Sequence, residues 1–370
     1  MVTKYNTLVL LDAYKDIELP TKALLDLSLP TNVGDATVIW DSDNTSVISN
    51  NGIVKQPAPG TSDANVKLIA KIYSDKEILY KEFTVNVPSP KIIVTEVMAD
   101  CVSSDYYDAI EIYNASDEDI DLKEYAVAYK RDTNSKDITA RNFNGAAYTA
   151  VNMITKYSKN GETGTEPDQI ILKPKSTAVL WVKQASESSH QSKTRDDFVN
   201  HYKTTYNNEI NKDQIYYAEQ TAAQTFDSAP GNFYMVNHGN NRVSLYLVKK
   251  TNKTDTINDI VDATAKKEEH LVKYPENIVS VARYTSLDFN SSTITDGKDT
   301  ALYAGKTMKF IWDSENGMMR PHEDHRNTKI SNPNMGRVYY WQREIDPDDT
   351  TPAEITDNTV NTVSSNTLTV

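Results

Sequence analysis

The chain has 370 residues, a formal net charge of −13 and a single cysteine, Cys101. This length accommodates two sizeable hydrophobic cores, since domains mostly run about 100–200 residues. The charge opposes binding of nucleic acid by this chain alone, one cysteine excludes an internal disulfide, and the sequence has no run of about 18 apolar residues that would predict a membrane span.

The first 88 residues are predicted to contain an N-terminal segment, 1–17, and a small β-sandwich, 18–88. Apolar and polar side chains alternate at 66–72 and at 83–87, which is typical of strands with one buried face. Asn50-Asn51-Gly52 indicates a hairpin between such strands, because Asn and Gly tolerate a positive φ.

Pro88-Ser89-Pro90 marks the predicted boundary with a second module, 91–345. Two prolines remove two backbone donors and favour extended neighbours, which interrupts the strand pattern. Further strands are predicted in the second module, at 91–98, 109–113, 177–182, 242–248, 279–284 and 307–312. The last residues, 346–370, are polar and aperiodic, which predicts a linker or the start of another domain.

Two long intervals of the second module, 131–169 and 184–230, are polar and largely aperiodic. We therefore expect them to be insertions and not core elements. In the second interval, Thr194 precedes two acidic residues in the manner of a helix N-cap, and Phe198 with Tyr202 forms an i, i+4 apolar pair. One short helix is predicted there, at about 194–205.

Four stretches of the first module match a known family in order and spacing: Leu27-Ser28-Leu29-Pro30, Ala36-Thr37-Val38-Ile39-Trp40, Ser46-Val47-Ile48-Ser49-Asn50-Asn51-Gly52 and Gln56-Pro57-Ala58-Pro59-Gly60. In these stretches the module resembles the shortened, or atrophied, bacterial immunoglobulin-like domains of secreted Gram-positive enzymes. The resemblance implies that Trp40 is a core residue and not a sugar-binding one.

The second module carries other motifs: Ile93-Val94-Thr95-Glu96-Val97-Met98, Asp108-Ala109-Ile110-Glu111-Ile112-Tyr113-Asn114, Ile120-Asp121-Leu122, Leu172-Lys173-Pro174 and a closing segment at 330–336. With these it resembles a lamin-tail domain, an immunoglobulin-type sandwich of nuclear lamins and of many secreted bacterial proteins. Thr95, Ala109 and Glu124-Tyr125 depart from the family's usual residues. The two resemblances together imply an all-β chain of two tandem immunoglobulin-like β-sandwiches.

Glu96 and Glu111 are the most obvious carboxylate pair in the sequence. A glycosidase-like pair needs its two carboxyl groups about 5–10 Å apart across a cleft that binds sugar. The lamin-tail resemblance implies instead that both positions are structural, capping loop backbones or facing solvent. We expect no catalytic residue in the chain.

His322-Glu323-Asp324-His325 is the densest group of possible metal ligands, and His322, Asp324 and His325 are its candidates. Two histidines leave a zinc site one or two ligands short, so a solvated polar loop is the competing interpretation. The acidic stretches at 100–108 and 117–121 offer oxygen atoms to a weakly bound calcium ion, or are simply hydrated. No other cofactor is expected.

Aromatic doublets are the remaining candidates for ligand contacts. Exposed aromatic side chains provide contact area at low entropic cost, but half of a doublet on a strand faces the core. The residues concerned are Tyr106, Tyr107, Tyr216, Tyr217, Tyr339, Tyr340 and Trp341.

The leading hypothesis is a non-catalytic accessory, spacer or interaction region of a larger secreted or cell-surface bacterial protein, whose partner is an unknown protein or a cell-wall polymer. The lamin-tail resemblance implies this setting, including attachment to a hydrolase such as a phosphoesterase or nuclease. A carbohydrate- or polymer-binding module is the first alternative and requires an exposed row of aromatic residues. A metal-dependent hydrolase is the second, and requires His238 or His270 to join His322 and His325.

Overall fold

The computed structural model describes residues 2–99, 101–102, 106–133, 137, 147–158, 162, 164–183, 192–219, 224–226, 229–231, 241–261, 272–285, 305–322, 330–338 and 342. The helices are α1 (Val2–Asp16), α2 (Arg195–Tyr206) and α3 (Ile257–Ile260). The strands are β1 (Asn32–Val33), β2 (Ala36–Ser42), β3 (Ala64–Ser74), β4 (Glu77–Val87), β5 (Ile92–Met98), β6 (Ala109–Asn114), β7 (Ile120–Asp121), β8 (Tyr125–Thr133), β9 (Ala147–Thr155), β10 (Ile171–Leu172), β11 (Thr177–Trp181), β12 (Ile215–Glu219), β13 (Gln224–Phe226), β14 (Ala229–Gly231), β15 (Asn241–Lys249), β16 (Ile278–Thr285), β17 (Thr307–Asp313), β18 (Met318–Pro321) and β19 (Ile330–Ser331).

The first module is an antiparallel sheet in the order β1-β2-β3-β4. Buried and accessible residues alternate along β2 and β3, so one face of the sheet forms the core, as the period of two requires. Trp40 is buried in this core and its indole Nε1 donates to the carbonyl of Pro30 at 2.9 Å. The structure thus agrees with a core role for Trp40.

Helix α1 covers part of this sheet, although the sequence predicted only a segment there. Leu10, Ala13 and Ile17 join the core of the first module from the helix and its end. Their spacing of three and four residues places them on one helical face. Leu8, Leu11 and Tyr14 remain exposed, so apolar residues lie on both faces and weaken the helical pattern.

The second module is built on a sheet that closes on itself. Its strands follow the order β18-β16-β15-β8-β9-β12-β11-β6-β5-β17, and β17 also pairs with β18, which completes a ring of ten strands; β19 adds to β17. The prediction of a mostly β chain is confirmed. Two tandem sandwiches are not confirmed, because the second sheet forms this ring.

Both intervals that we expected to be insertions contribute a strand to the ring. Strand β9 lies between β8 and β12, and β12 pairs with β9 on one side and, in parallel, with β11 on the other. A parallel pair needs a crossover connection, which here contains α2. Asn152 of β9 is buried through a contact that no local pattern reveals: it donates to the carbonyl of Ala218 at 2.6 Å.

The helix expected near 194–205 is present as α2. Thr194 is its N-cap and exchanges hydrogen bonds with Asp197, which forms a capping box. Phe198 and Tyr202 are both fully buried and stack with ring centroids 4.5 Å apart. The apolar pair therefore anchors the helix to the outside of the ring.

Candidate binding site

The four described residues of the aromatic doublets belong mainly to the protein core. Tyr107 and Tyr217 are buried, whereas Tyr106 and Tyr216 are half-buried. Tyr107 stacks on Trp181 with ring centroids 5.8 Å apart, and burial first, then Asp197, raises the pKa of Tyr107 to about 12. Tyr339, Tyr340 and Trp341 lie outside the described residues. The structure therefore does not bring the described doublets together as an exposed row.

His201 joins this aromatic cluster from α2 and was not singled out in the sequence. Its ring stacks on Tyr107 with centroids 4.3 Å apart and makes an edge contact with Tyr206. Burial lowers the pKa of His201. Its position three residues after Phe198, on the same helical face, is the signal that could have revealed it.

The metal candidates are only partly covered by the structure. His322 is half-buried at the end of β18, and its backbone N–H donates to the carbonyl of Lys309. Asp324 and His325 lie outside the described residues, as do His238 and His270. Within the parts of the chain that are described, no group of three or more His, Cys, Asp or Glu side chains is placed to hold a metal ion.

Among the described acidic residues proposed for calcium, Asp117, Glu118 and Asp119 are exposed and form ion pairs with lysines, whereas Asp121 and Asp108 accept from backbone N–H groups. Asp121 accepts hydrogen bonds from the N–H groups of Lys123 and Ile170. Burial raises the pKa of its carboxyl, but hydrogen bonds from Lys253 and these two N–H groups outweigh that effect and leave the pKa lowered. Asp108 accepts from the N–H of Cys101 at 3.3 Å.

Glu96 fastens the end of the second module to its ring. The residue is buried on β5, and its Oε1 accepts from the hydroxyl of Thr307 at 2.5 Å and from the N–H of Asn334 at 2.9 Å. Lys309 Nζ lies 3.6 Å from the same oxygen. Glu96 therefore compensates a buried ammonium and ties the segment after β19 to the sheet.

Glu111 makes the same kind of contact beside it. It lies opposite Glu96 on β6, next to a bulge at Thr95. One carboxyl oxygen accepts from the hydroxyl of Thr95 at 2.6 Å and the other from the N–H of Gly336 at 2.7 Å. The two glutamates thus cap the backbone of the closing segment. We call Glu96, Glu111 and Lys309 the carboxylate latch.

Electrostatics within the latch follow from burial. Burial first, and then the neighbouring Glu96, raise the pKa of Glu111 well above its ordinary value, because both disfavour a second negative charge. Burial lowers the pKa of Lys309, and the two carboxyl groups offset part of that effect. The contribution of the latch to stability therefore depends on the protonation state of Glu111 and Lys309.

Replacing Glu111 with glutamine is expected to flatten the pH dependence of stability of the second module. The folded state keeps a proton that the unfolded chain loses above its ordinary pKa, so wild-type stability falls as pH rises from that value through the raised pKa. Glutamine can accept from Gly336 and donate to Thr95 with no charge to bury. Urea unfolding between about pH 4 and 8 measures the slope.

The exposed Glu118, replaced with glutamine, serves as the control and should retain the wild-type slope. An unchanged slope in the Glu111→Gln protein would show that Glu111 does not carry the proton.

A cleft of about 170 Å³ opens at the junction of the two modules. Lys22 and Asp63 line it from the first module, and Lys91 and Lys249 from the second. Its apolar lining includes Leu24, Ile92 and Tyr125, which are buried. Burial lowers the pKa of Lys22 although its side chain still contacts solvent; Lys249 lowers it further, and Asp63 and Glu276 act in the opposite direction.

The junction beside this cleft is closely packed. Gln56 Nε2 donates to the carbonyls of Pro88, at 3.1 Å, and of Val279, at 3.2 Å, and so bridges the linker to β16. Ser89 donates its hydroxyl to Ala58 at 2.6 Å, and its N–H to Asp63 at 3.0 Å. These bonds hold the Pro-Ser-Pro linker against the first module.

Two glycines bring backbone against backbone across the junction. Gly60 has φ +72°, and a Cβ there would collide with the carbonyl oxygen of Ala115. Gly317, with φ +63°, lies in the turn between β17 and β18, and a Cβ there would meet the backbone nitrogen of Gln56 at 2.5 Å. Each module therefore needs a glycine to accept the other.

Comparisons with known proteins identify the class of the first module. Residues 7–90 match the family model described as the atrophied bacterial Ig domain. The first module is thus an immunoglobulin-like domain of bacterial type, as the sequence predicted. The match ends at residue 90, so it does not confirm the lamin-tail resemblance of the second module.

One solved structure is similar over most of the chain. It is a DUF4876 family protein from Bacteroides thetaiotaomicron VPI-5482, with 11% sequence identity, a TM-score of 0.30, and coverage of 86% of this chain and 98% of that chain. At this TM-score the similarity supports no conclusion. No curated protein matches the chain. The helices that the structure describes include none long and apolar enough to cross a membrane.

Proposed function

We propose that the chain is a non-catalytic spacer and interaction region of a larger secreted or cell-surface bacterial protein. The observation that carries this proposal is the junction, where Gly60 and Gly317 let the backbones of the two modules touch. Contacts of this kind favour one fixed arrangement over a freely moving linker. A region of fixed shape suits the display of a neighbouring domain or the capture of a partner protein or cell-wall polymer.

The carboxylate latch supports the non-catalytic part of the proposal. The carboxylate oxygens of Glu96 and Glu111 accept hydrogen bonds from backbone N–H groups and hydroxyls inside the protein. A general acid or a nucleophile has to reach a substrate held in a cleft. Both glutamates are fully enclosed instead, so their chemistry serves the fold.

The latch also supports lamin-tail membership of the second module, which we include in the proposal. The resemblance rests on the strands that carry Glu96 and Glu111 and on the closing segment 330–336. The closing segment lies more than 200 residues after these two strands, yet the two carboxylates accept from Asn334 and Gly336 of that segment. The secreted or cell-surface setting, and attachment to a hydrolase, rest on this resemblance.

Distance measurement between the modules tests the spacer role. Spin labels at Lys76 and Asp168, which are exposed on different modules, should give one narrow distance distribution by pulsed electron resonance, while buried Cys101 stays unlabelled. A broad wild-type distribution would refute the fixed arrangement. Phosphatase, nuclease and glycosidase assays complete the test, and turnover that Glu96→Gln or His322→Ala abolishes would refute the non-catalytic role.

Replacing Gly317 with alanine is expected to broaden that distribution, because the new Cβ cannot fit against Gln56. Gly34→Ala is the matched control: its φ is +56°, but open space surrounds the Cβ position. Both variants incur the backbone cost of about 1 kcal/mol for alanine at positive φ. Only Gly317→Ala should alter the distance between the modules, and an effect of the same size in both would remove the packing explanation.

A further inference from the structure

The cleft at the junction is lined by residues of both modules. Lys22, Lys91 and Lys249 approach it from separate segments of the chain, and Asp63 is the one carboxylate among the described residues that line it. The chain as a whole is strongly acidic, with a net charge of −13. With three lysines against one carboxylate, the described lining has a net positive charge that attracts anions, although the chain as a whole is acidic.

The three lysines of the cleft differ in whether a nearby carboxylate forms an ion pair with them. Lys91 pairs with Glu118 at 2.6 Å, and Lys249 approaches Glu124 at 3.5 Å. Among the residues that the structure describes, no carboxylate oxygen lies within ion-pair distance of Lys22 Nζ. Asp63, the carboxylate of the same lining, accepts a hydrogen bond from the N–H of Ser89. Lys22 is therefore the cation that gains most from an added anion.

The apolar part of the lining restricts what that anion can be. The apolar wall is small: Leu24 and Tyr125 are each 7% exposed and Ile92 has no exposed surface. A free inorganic ion would leave this wall in contact with water. A ligand that carries a carboxylate or phosphate on a small ring or hydrocarbon body would cover it, with the polar groups fixing its orientation.

We propose that the junction cleft binds a small organic oxyanion, a carboxylate or phosphate monoester on a compact body, with Lys22 and Lys249 as its cationic contacts. Charge-assisted hydrogen bonds from the two ammonium groups hold the oxyanion. The apolar wall receives the body of the ligand. Because the site uses residues of both modules, it exists only while the junction is closed, and this gives the fixed arrangement a role in binding. The site shares the closed junction with the spacer proposal but does not require a neighbouring domain or a macromolecular partner.

Calorimetric titration with four probes tests this site: glucuronate, glucose 6-phosphate, glucose and inorganic phosphate. Glucuronate and glucose 6-phosphate should bind saturably, glucose should not, and inorganic phosphate should bind more weakly than either sugar anion. Preference for one sugar anion distinguishes carboxylate from phosphate recognition. Absence of saturable binding by both sugar anions, or equal binding of glucose, would overturn the proposal.

Lysine variants locate the site. Lys22→Ala and Lys249→Ala should each weaken binding of the preferred sugar anion about tenfold, as expected for loss of a charge-assisted contact. Lys76→Ala makes the same change in net charge on an exposed turn between β3 and β4 and should leave affinity unchanged. Equal weakening in all three variants would reduce the effect to net charge and refute a built site.

Nuclear magnetic resonance of the lysine side chains provides a second measurement. Ligand binding should raise the pKa of Lys22, because an anion favours the ammonium form, and affinity should fall as pH rises through that pKa. The charged groups that act on Lys22 in the free protein are Asp63, Lys249 and Glu276. A Lys22 pKa that stays constant at ligand saturation would exclude direct contact. Unchanged distances between the modules in Lys22→Ala would separate failure of this site from failure of the spacer role.

Discussion

Replacing Glu96 with alanine is expected to destabilise the second module by about 3–5 kcal/mol, the usual cost of removing one partner from a buried ion pair. The change leaves the ammonium of Lys309 in the protein interior without Glu96, which lies 3.6 Å away in the wild type. It also removes the acceptor of the Asn334 N–H and of the Thr307 hydroxyl. Urea unfolding with a probe in the second module measures the loss.

A double variant identifies the source of this cost. Glu96→Ala with Lys309→Met removes the stranded charge and should recover part of the stability lost in the single variant. Glu82→Ala, which removes the exposed partner of Lys67, should change stability by no more than about 1 kcal/mol. If the double variant is no more stable than Glu96→Ala, the lost hydrogen bonds and not the Lys309 charge account for the effect.

Replacing Trp181 with alanine is expected to cost about 3–5 kcal/mol, the range for a fully buried tryptophan. Trp181 has no exposed surface and packs on Phe198, with ring centroids 5.2 Å apart, and on Tyr217, at 5.3 Å. Its Nε1 also donates to the carbonyl of Tyr106 at 2.9 Å. Because this cluster anchors α2, hydrogen exchange of the α2 amides should accelerate more than that of the first module.

Two further variants serve as comparisons for Trp181→Ala. Trp181→Phe keeps most of the packing and loses the hydrogen bond, so it should cost less than the alanine variant. Trp40→Ala removes a large side chain from the core of the first module, so amide hydrogen exchange should accelerate first in β2 and β3. Loss of α2 protection in Trp40→Ala, equal to that in Trp181→Ala, would show that the two modules unfold as a single unit.

Features set by short-range sequence patterns were predictable. The alternation of Val243, Leu245 and Leu247 gave a strand with these residues on the inner face, and all three lie in the main core of the second module. Thr194, as an N-cap, and the i, i+4 pair of Phe198 and Tyr202 predicted helix α2. Each of these signals lies within a few residues, where strand or helix geometry alone decides which side chains share a face.

Features set by distant partners were not predictable. Strand β9 is itself mostly apolar, but it lies within a polar interval and its buried Asn152 has its partner at the distant carbonyl of Ala218. The junction cleft joins Lys22, Lys91 and Lys249 from three separate segments, and each lysine alone is typical of a solvated surface. The burial of Glu96 depends on a closing segment more than 200 residues later, at Asn334.

Closure of the ring has a consequence for the order in which the protein forms during synthesis. Strand β5, near the start of the second module, pairs with β17, and their contacts include Glu96 opposite Lys309. Until residues 307–336 leave the ribosome, β5 has an unpaired edge and the glutamates have no backbone to cap. The first module, in which consecutive strands pair with one another, can fold long before. Until then the nascent second module is an open sheet. In this state its unpaired edges promote aggregation, and chaperones are most needed.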